Sequence, residues 1–172
     1  MKIKLTAIAA LLAVSGCKET TEPFQPPVFN VTATITDENK CAVSAMGKEY
    51  VSENQIRGDA PAEFIGSERE LNYHGFGCAV YRPDGGNGDI IVLFAKNNFG
   101  KPLKPGTYKI VAEVLDETPE GYAAVRFNSS DYGPFKLNTM DNLGGTVVVE
   151  VTPAGGRKIT VDVNTIQWGE PF

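Results

Sequence analysis

From Phe29 onward the apolar residues of this chain recur at every second position, and that period limits the fold more than any other feature. Phe29, Val31, Ala33 and Ile35 alternate with Asn30, Thr32, Thr34 and Thr36. Successive side chains of a strand point to opposite faces, so this stretch reads as a strand with one buried face and one threonine-rich wet face. The same spacing predicts strands near 41–46 and 48–52, split by Gly47, and again over 76–82, 107–115, 122–128, 145–152 and 157–164. Residues 89–95, DIIVLFA, are apolar on both faces, as a strand inside a sheet is. Pro153 to Gly156 joins the last two segments as a hairpin, with Val147, Val149 and Val151 inward opposite Ile159, Val161 and Val163. Residues 53–75 are polar and broken by glycines, with room for one short helix from Pro61 to Leu71.

Eight or more short strands, frequent turn signals and almost no helical period predict an all-β fold. An antiparallel β-sandwich is the favoured architecture and a flattened barrel the alternative, formed by one domain over residues 29–172.

The N-terminus has a different pattern. Lys2 and Lys4 precede an apolar run from Leu5 to Val14, followed by the small residues Ser15 and Gly16 and then Cys17. A basic start, a short apolar run and small residues make an export signal, and the run is shorter than the roughly twenty residues a membrane span needs. Val14-Ser15-Gly16-Cys17 resembles the lipobox of bacterial lipoproteins. Membership of that family implies removal of residues 1–16 and acylation of Cys17, with the lipid bilayer as a partner. One acyl chain anchors marginally and several anchor stably. Lys18 to Val28, KETTEPFQPPV, carries three prolines and reads as an extended spacer between the lipid and the folded domain. A residue other than aspartate after the modified cysteine resembles the outer-membrane pattern of such lipoproteins, which implies the bacterial cell envelope as the address.

If Cys17 takes lipid, Cys41 and Cys78 remain. In an oxidising compartment an even pair reads as a disulfide, and both lie on inward faces of their alternating segments. Two unpaired buried thiols are the other possibility. Without the signal, 14 basic residues face 21 acidic ones, a net charge of −7. That balance, with no basic stripe, argues against nucleic acid and against electrostatic capture by anionic lipid.

A Pro105-Gly106 turn into GTYKI, followed by the valine-rich hairpin, resembles the immunoglobulin-like and transthyretin-like sandwiches of envelope lipoproteins over 88–163. A shared fold of that kind implies no particular activity.

Candidate chemistry is sparse. His74 is the single histidine, which excludes a multi-histidine zinc site, and no nucleophile motif accompanies it. Asp84, Asn87 and Asp89 in DGGNGD offer oxygen ligands for calcium, although the spacing is not that of an EF-hand. A hairpin turn explains the same residues. Arg57-Gly58-Asp59 spells the tripeptide that integrins read. Late aromatics, Tyr132 and Trp168 among them, offer a platform for a sugar ring or a protein patch; packing of the lone tryptophan over an end of the sandwich is the plainer expectation. Tyr122 and Phe127 fall on opposite faces of one strand, so at least one is not core.

The sequence therefore predicts a non-enzymatic, lipid-anchored interaction or structural module without a cofactor. The alternative is a carbohydrate- or calcium-binding surface module, with a hydrolase behind both. The protein or glycan partner is not written in the chain.

Overall fold

The computed structural model describes residues 26–36, 40–52, 73–96, 103–132 and 136–168. The expected export signal, Cys17, most of the expected spacer, the short helix expected at 61–71 and the Arg57-Gly58-Asp59 tripeptide lie outside the described residues.

Ten strands form: β1 (Val28–Thr36), β2 (Cys41–Ala45), β3 (Lys48–Ser52), β4 (Tyr73–Tyr81), β5 (Asn87–Ala95), β6 (Gly106–Ile110), β7 (Tyr122–Ser129), β8 (Lys136–Thr139), β9 (Gly145–Val151) and β10 (Arg157–Trp168). A 3-10 turn, Ser130–Tyr132, follows β7. The all-β class is as expected, but the strands join in one ten-stranded sheet and not in two separate ones. Antiparallel ladders run through β1, β2, β3, β4, β5, β7, β8 and β10, and β10 pairs again with β1 over nine registered positions, from Val28↔Ile166 to Thr36↔Lys158. The ring of pairings is closed, which removes the free edges an open sheet leaves unsatisfied. β8 fills only part of the gap between β7 and β10. β9 covers the rest of β10, and β6 bridges β9 to β7 through a two-residue parallel contact.

Inside the ring every strand contributes its alternate residues. Val31, Val43, Tyr50, Val80, Ile90, Val92, Phe94, Val125, Phe127, Leu137, Val147 and Val163 are all but inaccessible. Phe94 stands edge-on to Phe76 and Tyr108, at centroid distances of 5.7 and 4.8 Å, the geometry that aromatic quadrupoles favour. A smaller cluster of Ala95, Val114 and Ala124 collects Leu93, Val111 and Tyr122 on the other face, so Phe127 is core and Tyr122 is not.

Four local readings change. The 107–115 strand stops at Ile110; Val111 N–H still donates to Ala123 O, but Thr139 Oγ1 donates to Val111 O and Ala112 N–H donates to Asp141 Oδ1. Val149 pairs with Ile159 and Val147 with Val161, which places Val151 opposite Arg157; it shares the inner face but passes the end of the core and is 52% exposed. The last strand runs on to Trp168. β8 has no counterpart in the expected set, because KLNT is short and half polar.

One end of the ring gathers the start of β1, the two-residue β2–β3 turn Met46-Gly47, the β4–β5 turn, the 3-10 turn, the start of β8 and the end of β10. Pro26 and Pro27, both exposed, lead into this end, so the spacer joins the domain here.

Candidate interaction site

Two features of this end hold polar groups: a network around Asp131 and a row of side chains along the outer wall.

The network arises at a narrow seam of the sheet. Among the described residues β3 and β4 share two registered pairs, Val51↔Tyr81 and Ser52↔Val80. Beside this seam Asp131, on the 3-10 turn, accepts hydrogen bonds from Tyr50 Oη at 2.5 Å and Arg82 Nη1 at 2.9 Å, with Lys48 Nζ at 3.4 Å. Tyr50 is wholly buried, and its hydroxyl also meets Ser129 Oγ at 3.0 Å. Lys48 and Tyr50 belong to β3, and Arg82 follows β4. One carboxylate thus bonds both sides of the seam. The Tyr50 hydrogen bond, helped by Lys48 and the charge of Arg82, holds the Asp131 carboxyl below its ordinary value against partial burial. Arg82 also grips Asp84 through Nε, at 2.7 Å, and Nη2. That hydrogen bond, with Asp131 nearby, raises the guanidinium pKa and lowers that of Asp84. The Cys41–Cys78 disulfide, with a Cα separation of 6.4 Å, links β2 to β4 across β3 and fastens the same seam.

Two open grooves lie along this row. Ala79, Tyr81, Asn87, Asp89, Asn128 and Ser130 line the first, of about 450 Å³, where Asn128 Nδ2 donates to Asp89 Oδ1 at 3.3 Å. Ala112, Glu113, Arg126, Asn138, Met140 and Trp168 line the second, of about 310 Å³. A single row across the strands joins them: Trp168 pairs with Lys136, Lys136 with Asn128, Asn128 with Asp89 and Asp89 with Ala79. At about 4.8 Å per strand the row is about 19 Å long. Glu113 and Arg126 approach within 3.5 Å in the second groove. Arg126 Nε and Asn138 Oδ1 are buried and have no hydrogen-bond partner there.

The three residues expected to offer oxygen ligands to calcium each have hydrogen-bond partners within the chain. Asp84 is taken by Arg82, Asp89 by Asn128, and the Asn87 backbone exchanges hydrogen bonds with the Ser130 hydroxyl at 3.2 Å. Among the described residues no group of three or more His, Cys, Asp or Glu side chains is placed to hold a metal ion. Trp168 is not packed over an end of the fold: it stands 59% exposed on the wall. Tyr132 closes the 3-10 turn and His74 lies in β4 opposite Phe94, their side chains falling outside the described set. The Asp131 network was not legible in the sequence, since Arg82, Tyr50 and Lys48 stand 49, 81 and 83 residues before Asp131.

No protein-family model matches the chain, and no curated protein and no solved structure is measurably similar to it.

Proposed function

We propose that this chain is a lipoprotein of the bacterial envelope, most naturally of the outer membrane, held by an acylated Cys17 and working as a non-enzymatic interaction module. The observation that carries this reading is the character of the wall. Its carboxylate, amide, ammonium and indole groups are spread along a row of about 19 Å and do not converge on one reacting atom. A catalytic site needs acid, base or nucleophile held within hydrogen-bond reach of one point. A recognition surface needs separated polar and aromatic contacts. The closed ring and the disulfide suit an exported domain, and the entry of the spacer at one end suits a tether.

The reading is tested in the source bacterium. Wild-type protein should partition into detergent and sediment with outer-membrane fractions, whereas Cys17→Ala should fold equally well and leave the membrane. Equal membrane retention of both forms would contradict the lipid anchor.

A further inference from the structure

We infer that the spacer-proximal end of the ring docks on the phospholipid surface, with Trp168, Val28 and Met46 entering the headgroup boundary; this rests on Cys17 being the point of attachment. Five large apolar side chains are exposed among the described residues, and three of them are at this end: Trp168 at 59%, Val28 at 54% and Met46 at 39%. Val28 opens β1 directly opposite Ile166, two residues before Trp168, so the two strands bring Val28 and Trp168 together where the spacer enters. Lys136 is exposed directly across from Trp168. Tryptophan beside lysine suits a bilayer boundary, where the indole sits at headgroup depth and the ammonium reaches phosphate.

Met46 adds an independent sign. It stands at φ 52°, followed by Gly47 at φ 73°, so the turn has positive φ at both central positions. Asparagine or glycine is the usual first residue of such a turn, and a methionine there is strained. Strain that displays an apolar side chain at the surface points to a contact.

Val28 lies eleven positions after Cys17, a reach of about 34 Å at about 3.1 Å per residue. Three partly exposed side chains bind a bilayer weakly by themselves. A tether of this length raises their local concentration toward about the millimolar range, where weak docking is populated. With a net charge of −7 the mature chain gains nothing from anionic lipid, so the contact is apolar and interfacial.

The chain supplies its own probe, because Trp168 is its single tryptophan. With Cys41 and Cys78 bridged, a chain that begins at Cys17 and is produced without acylation leaves the Cys17 thiol open to chemical coupling to a maleimide lipid in phosphatidylcholine vesicles. Trp168 emission should shift to shorter wavelength, lose most of its intensity to lipids brominated near the headgroup, and be shielded from acrylamide. In the fold-preserving double variant Val28→Thr/Met46→Asn these effects should be largely lost. Emission matching the uncoupled chain, open to acrylamide and untouched by bromine, would overturn the inference and leave the groove to a soluble ligand such as a glycan. Shielding without bromine quenching would also overturn it, since a second copy would then cover Trp168. Quenching that persists in the double variant would refute the role of Val28 and Met46. Because the coupling is chemical, these failures are separate from a failure of acylation in the cell.

Discussion

Asp131 receives a buried tyrosine, an arginine and a lysine at once, and each of these bonds favours its ionised form. Its carboxyl therefore titrates below the ordinary 3.8 in the folded chain. The unfolded chain binds the proton first as pH falls, so this contribution is fully present above about pH 4. It is lost as pH drops through the lower folded value. Urea midpoints measured across that range should fall more steeply for wild type than for Asp131→Asn. Tyr50→Phe should destabilise by about 1.5–3 kcal/mol, the usual worth of a hydrogen bond to a charged group. It should also raise the Asp131 pKa in a carboxyl NMR titration, because Tyr50 is the main cause of its depression. An unchanged titration would place the cause elsewhere.

At the scale of elements, the β3–β4 seam explains why distant residues meet. Two ladder pairs hold little by themselves, and the disulfide on one side and Asp131 on the other supply the rest. Closing a loop over a separation of 37 residues stabilises by about 4 kcal/mol in the chain-entropy description. Cys41→Ala/Cys78→Ala should lose an amount of that order in chemical denaturation. Hydrogen exchange should quicken first at β2 and β3 while the nine-pair β1–β10 ladder stays protected; uniform acceleration would contradict a local clamp. Alternation made most strands readable, including the inward settings of Val31, Val147 and Val161. It missed β8, whose four residues hold only Leu137 as a strong apolar signal, and it ran the β6 segment on to 115, although past Ile110 the side chains of Thr139 and Asp141 take up Val111 O and Ala112 N–H. The inward thiols were readable too, since Cys41 and Cys78 share their strands' buried parity. The Asp131 network was not, because nothing local distinguishes an aspartate in a turn from one that binds three elements.

For the whole molecule, closure is what periodicity leaves unwritten. An alternating pattern gives each strand an inner and an outer face, but whether the sheet folds into two layers or runs once around depends on the β1–β10 pairing. Closure also decides the placing of Trp168: β10 continues past the core to Trp168 at the end where the spacer arrives, and the indole is left on the wall. The proposal that the domain is held from one point rests on Cys17. The most direct measurement is the intact mass of the protein extracted in detergent from its own membranes. An N-terminus at Cys17 carrying diacylglyceryl or a further acyl group is the expected result. A chain cut elsewhere, or one beginning at Cys17 with a free thiol, would contradict the account.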